Sequence, residues 1–274
     1  MSVKKVNILT VELDERLDEH GFRHAATSVG ARLGARRIGA AVYQADAGFP
    51  IWPYHYHHGI EEWLYVLAGA PVLRDLDGER SLTPGDLVRF PSGPSGSHTL
   101  KGPGRFVIFD TADAEPYMSV YPDSDKASGP EGMLLRSSVV GYWHGEGTAG
   151  PVAEEATERE PSPPPPGRLA AAMTELDPGE ESEPYHYVYG REEWLVVESG
   201  TLALRHADGE HQLEAGDVVC FPEGPAGARH LANRSGSAVR ALSLWTTGLP
   251  ANVHYPDSGQ WLIRNGPGAE FTLS

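Results

Sequence analysis

The chain has 274 residues, enough for one large or two ordinary domains with real cores. Its 32 glycines and 23 prolines accompany a hydrophobic fraction of 40%, a mix that favours a turn-rich β protein over a helical one. The formal net charge of −16 sets the average surface against phosphate backbones and anionic lipid, so nucleic acid and membrane surfaces are excluded as default partners.

The opening MSVKKVNILTVELDER lacks the apolar core of a secretory signal, and the longest apolar stretch, Trp63 to Leu73, is too short to span a bilayer. The sequence therefore reads as cytoplasmic. Weak helical periodicity is confined to Leu13–Glu19 and Thr27–Leu33. Short strands follow: RIGAAVYQA, EEWLYVLAG, APVLRDL, GDLVRFP and RFVIFDT, separated by turn signals such as DG, PGD and PSGPSG. Tyr142-Trp143-His144 reads as a cover for a barrel mouth. Residues 144–168 mix charge with a proline run, too little to bury, and read as an extended linker. A second run of strands comes after it: LAAAMTEL, EEWLVVESG, TLALRHA, GDVVCFP and RALSLWTT. The lone Cys220, inside DVVCFP, excludes an intramolecular disulfide or a CxxC zinc site and reads as an inert core thiol.

The two runs are copies of one unit. Residues 53–98 align without gaps on 184–229 at an offset of 131, with 25 identities in 46 positions. PYHY, EEWL, DGE and FPxGPxG recur in both, and Tyr121-Pro122-Asp123-Ser124 echoes Tyr255-Pro256-Asp257-Ser258. The expected organisation is an N-terminal domain over 1–143, the linker 144–168 and a C-terminal domain over 169–274.

In the first copy, His55 and His57 sit two residues apart in strand geometry and so share a face. Glu62 opens the next strand and His98 closes the PSGPSGSH turn. Three imidazoles and a carboxylate converging on a pocket make a site for a divalent transition metal, with open positions for water or substrate. His58 points away from His57 and reads as an ordinary surface histidine, and Glu61 as the outward neighbour of Glu62. Tyr54 and Arg89 are candidate catalytic residues that would orient a substrate; Tyr54 and Arg74 recur in the second copy as Tyr185 and Arg205, which also suits a role in holding the barrel together.

On these motifs the sequence resembles a bicupin of the cupin superfamily. The first family motif is met by His55-x-His57, four residues, Glu62, six residues, Gly69, with Gly48 one residue further upstream than the pattern has it. The second is met by Gly85, Pro91, Gly93 and His98, with two extra residues between Gly93 and His98 and Gly102 where asparagine is usual. The resemblance implies an all-β fold of two tandem cupin barrels (double-stranded β-helix, or jelly roll). It also implies that His55, His57, Glu62 and His98 bind one divalent metal (Fe, Mn, Ni or Zn) in the N-terminal barrel. The second barrel departs: His186 and Glu193 match, but Val188 replaces the second histidine and Arg229 stands at the place of His98, leaving a degenerate site.

The leading functional expectation is a metal-dependent enzyme acting on a small-molecule substrate, with a non-haem Fe(II) dioxygenase ahead of an isomerase, epimerase or lyase on Mn, Ni or Zn. The alternative is a non-enzymatic cupin that binds or senses a metabolite. Strands apolar on both faces allow a monomer, whose two barrels cover each other, or a homodimer.

Overall fold

The computed structural model describes residues 3–111, 118–129, 132–136, 168–247, 251–264 and 270–273; Tyr142-Trp143-His144 and all but the last residue of the expected linker lie outside them. The chain folds into two jelly-roll barrels, as the turn-punctuated strands imply.

The larger sheet of the first barrel runs Glu15–Glu19, Phe22–Ser28, Gly39–Ala45, Gly104–Asp110, Glu62–Gly69, Leu87–Phe90, all antiparallel. It faces two smaller sheets, one built on Thr99–Lys101, Val72–Asp75 and Gly78–Ser81, the other on Tyr56–His58, Met118–Tyr121, Lys126–Gly129 and Gly132–Leu135. The second barrel repeats the plan, with Leu169–Leu176, Val239–Thr246, Glu193–Ser199 and Asp217–Phe221 in its larger sheet. Among the described residues helix is confined to Gly30–Leu33 and short 3-10 turns. The helical expectation over Leu13–Glu19 is corrected: Glu15–Glu19 is a strand, turned back onto Phe22–Ser28 by His20 and Gly21, both at positive φ (52° and 85°). That two-residue turn matches the twist of a hairpin. In Thr27–Leu33 only the last turn is helical, stopped by Gly34 in the left-handed region.

The alternation of Glu62–Gly69 divides its side chains between two cores. Leu64 and Val66 join Phe90, Phe106 and Ile108 inside the first barrel. Tyr65, with Val107 and Phe109, faces out into a core shared with Trp194, Val196, Val218 and Leu244 of the second barrel, where the Phe109 and Trp194 rings meet edge-on at 5.6 Å. The strand Lys5–Asn7 crosses over and pairs with Asp217–Phe221, so the first residues of the expected N-terminal domain complete the second barrel's sheet.

The duplicated Glu-Glu pair joins the barrels. Glu192, 2% exposed, accepts the backbone N–H groups of Arg36, Arg37 and Ile38 at 2.8–3.2 Å. Its repeat counterpart Glu61, 3% exposed, accepts the N–H of Arg168 at 3.0 Å. Glu192→Ala leaves buried donors unsatisfied, and hydrogen bonds to a charged group are worth about 1.5–3 kcal/mol each. Urea unfolding should therefore show a loss of about 3 kcal/mol or more; a loss near zero would show that this carboxylate does not hold the barrels together.

Candidate metal centre

Two loops bring the histidines together. The backbone of His55 bridges that of His98 in both directions (3.1 and 2.8 Å), and the N–H of Gly93 donates to the His57 carbonyl at 2.7 Å. The 3-10 turn Pro94–Gly96 leads into His98; any Cβ at Gly96 would collide with the Pro91 carbonyl, so the tight approach that aims His98 inward requires glycine.

Each imidazole is held by its Nδ1 and presents its Nε2. His55 Nδ1 lies 2.9 Å from the Pro53 carbonyl, His98 Nδ1 2.9 Å from the Gly96 carbonyl, and His57 Nδ1 2.8 Å from the Ser119 hydroxyl. A carbonyl only accepts, so Nδ1 of His55 and His98 carries the proton and their Nε2 atoms are bare lone pairs. His55 Nε2 is 3.1 Å from His57 Nε2. Glu62 Oε2 is 3.4 Å from His57 Nε2 and 3.6 Å from His98 Nε2. The ligand atoms of His55, Glu62 and His98 lie within 4.8 Å of one another, and His98 Nε2, on a residue 1% exposed, has no hydrogen-bond partner.

Burial sets the charge states. It lowers the basicity of His55 and, with His55 nearby, pushes His57 down to about 4 and His98 well below the histidine range. Burial, with Asp110 close by, pushes Glu62 up to about 8. A carboxylate facing neutral nitrogen lone pairs is costly to desolvate unless a cation or proton lies between them. The donor set therefore fits a borderline divalent metal, whose bonds to imidazole and carboxylate run about 2.0–2.2 Å.

Rings wall the site. Phe90 stacks on His98 at 3.7 Å, Trp52 meets His55 and His98 edge-on, and Tyr121 lies over His55 at 5.8 Å. Asp110 pairs across the strands with Glu62 and shares its inward face; burial raises its pKa, opposed by the N–H of Gly39.

The two proposed substrate-orienting residues lie elsewhere. Arg89 pairs in register with Trp63, on the outward face, and its guanidinium is bidentate to Glu61 at 3.0 and 3.1 Å. It braces the interdomain contact, which corrects its expected place in the pocket. Tyr54 lies under the Arg74 guanidinium at 4.1 Å, and Arg74 is bidentate to Asp123. Tyr185, Arg205 and Asp257 repeat that arrangement at 4.2 Å, so the trio is a barrel brace. In the second barrel, Arg229 Nη2 is 2.6 Å from Glu193 Oε2, and His186 Nδ1 is held by the Pro184 carbonyl at 2.8 Å.

Ser119 and Asp110 were not visible from the motifs. The signal for Ser119 lay in the weaker echo after the repeat: counted back from the matching tyrosines, its counterpart is Val253, and Ser119 faces His57 where Val253 faces Val188. The ligand and its holder change together.

The cupin domain profile matches residues 42–110 and 172–245, just over half of the chain. Among curated protein sequences none matches significantly. Similar solved structures include oxalate decarboxylase from Bacillus subtilis, at TM-score 0.51 and 16% identity over 92% of this chain and 79% of that one. Another is a putative sugar phosphate isomerase from Acidithiobacillus ferrooxidans, at TM-score 0.39 and 24% identity over 43% of this chain and 80% of that one. The likeness to the decarboxylase is one of fold. Among the described residues no helix is long and apolar enough to cross a membrane.

Two outcomes follow from the geometry. Ser119→Ala frees the His57 ring, and loss of such outer support costs about 10–100-fold in metal affinity; competition with a chelating dye should show that drop, and unchanged affinity would remove Ser119 from the site. The second outcome concerns protons. Without an ion, folded Glu62 keeps its proton up to about pH 8, against 4.5 for an ordinary glutamate. The metal-free fold thus loses stability as pH rises through that window. A cation takes the proton's place, so binding near pH 6.5 should release about one proton, and close to none near pH 9. Calorimetry in buffers of different ionisation enthalpy measures this; no release near pH 6.5 would contradict the buried carboxyl.

Proposed function

Starting from a chain that belongs to the cupin domain family, we propose that its N-terminal barrel is the active site of a metal-dependent enzyme acting on a small organic molecule. In this reading His55, His57, Glu62 and His98 hold one divalent transition metal. The observation that carries it is the unpartnered, buried Nε2 of His98, aimed at a carboxylate that two further imidazoles also face. Buried polar atoms rarely go unsatisfied, and here one ion would satisfy all four groups.

Such an ion supplies Lewis-acid polarisation or, as iron, one-electron chemistry with dioxygen. The preferred reaction is an oxygen-dependent oxidation of the dioxygenase type, with the four side chains as the groups that would hold Fe(II). Trp52, Phe90 and Tyr121 would exclude water and offer ring faces to an organic substrate. A specific observation favours a second reading, isomerase, epimerase or lyase chemistry: Asp110 is an inward, half-buried carboxylate beside the ligand set, placed to hold or move a substrate proton.

Metal analysis of protein purified without chelators should give about one equivalent per chain, and His98→Ala a small fraction of that. Wild type without metal, or His98→Ala with a full complement, would refute the reading. A panel of small acids, phenols and sugar derivatives, followed by oxygen electrode and proton NMR, then separates the chemistries. Oxygen uptake proportional to bound iron supports the first, turnover without oxygen that Asp110→Asn abolishes supports the second, and a full metal site with no turnover on any compound leaves a binding protein.

A further inference from the structure

The second barrel keeps the frame of the metal site and changes what fills it. His186 and Arg229 bridge through their backbones as His55 and His98 do, and Pro225–Gly227 repeats the 3-10 turn that precedes His98. Arg229 lies over Phe221 at 5.1 Å, as His98 lies over Phe90, and its Nη1 donates to the Gly227 carbonyl where His98 Nδ1 uses Gly96. Its guanidinium reaches across the barrel to Glu193 at 2.6 Å, with both side chains largely buried (6% and 15% exposed). The His57–Ser119 pair is replaced by Val188 facing Val253, both buried in an apolar cluster. Two ligand positions are lost and a permanent positive charge now sits against the remaining carboxylate. A guanidinium stays charged at any ordinary pH, so a metal ion could reach Glu193 only by displacing it. The metal that the family implies does not fit this barrel.

We propose that Arg229 is a built-in cation: its guanidinium takes the charge-neutralising place that a metal ion takes beside Glu62, closing the C-terminal barrel to metals while leaving a latent site around His186 and Glu193. If the N-terminal reading holds, the two barrels together take one ion, and the second barrel keeps its fold whether or not the first is loaded. Restoring the ligands reopens the site, because the backbone that aims them is still in place.

The test uses full-length protein in which His55→Ala and His98→Ala have removed the first ligand set, so the metal count starts from zero whether or not the N-terminal reading is right. Into this background go Val188→His with Arg229→His, alone and with Val253→Ser to hold the new imidazole. Co(II) is the probe, read by its visible absorption and by metal content after gel filtration. The expected result is no cobalt in the background and about one equivalent in the variants, tighter when Val253→Ser is present. Cobalt bound by the second barrel with Arg229 in place, or none bound by a folded variant, overturns the proposal. Should the histidine variants fail to fold, Arg229→Lys, which keeps the charge, and Arg229→Met, which keeps only the length, are compared by thermal unfolding. The lysine variant should stay several degrees closer to wild type, and equal losses would overturn the idea of a built-in cation.

Discussion

A carboxylate withdrawn from water needs a positive or hydrogen-bonding partner, and three of the four glutamates in the duplicated Glu-Glu pair meet that need, each in a different way. Glu61 takes the Arg89 guanidinium, the Trp63 indole N–H and one backbone amide. Glu192 takes three consecutive backbone amides. Glu193 takes Arg229. Only Glu62, among the described residues, faces neutral imidazoles and another acid with no cation beside it. Strand alternation makes the division: in each copy the first glutamate points out of its barrel into the seam between barrels, and the second points in. One dipeptide thus sets both the docking of the halves and the chemistry of the interior.

The period of two carried the sequence reading a long way. The structure brings His55, Glu62 and His98 within 4.8 Å of one another and sets His57 against His55 and Glu62, and the strands of both copies stand where the repeat puts them. What failed needed information beyond one strand. The sequence offers Arg89 as a substrate-orienting residue, but its direction depends on pairing with Trp63, and that register sends it into the seam. Glu61 was correctly read as outward, yet outward here means buried, because the other barrel covers it. The periodicity of Leu13–Glu19 was overruled by a tight turn at His20-Gly21 that local composition does not announce.

The exchange of Lys5–Asn7 into the second barrel was invisible for a related reason. Three residues, two of them polar, carry no strand signal of their own; the strand exists because Asp217–Phe221 offers an open edge and Asp217 anchors Lys5 at 2.7 Å and Asn7 at 3.1 Å. Long-range pairing of this kind creates structure where propensity is neutral. Its effect is mechanical: the chain crosses the seam at its start as well as between the copies, and the shared core of Phe109 and Trp194 locks the crossing in place.

That coupling fits the proposal that one half alone holds an ion. Ligands that converge without a cation repel one another, so a metal site is a weak point in its barrel until it is filled. Here the barrel with the converging imidazoles and Glu62 is fused to one whose equivalent interior is already neutralised by Arg229 and Glu193 or packed with Val188 and Val253. The second barrel presents a finished surface to Tyr65, Val107 and Phe109, on the reverse of the strands that carry Glu62 and Asp110. Those strands are held from behind whatever the state of the pocket in front. The second copy thus gives the first a rigid backing, and a rigid backing keeps mutually repelling side chains close together.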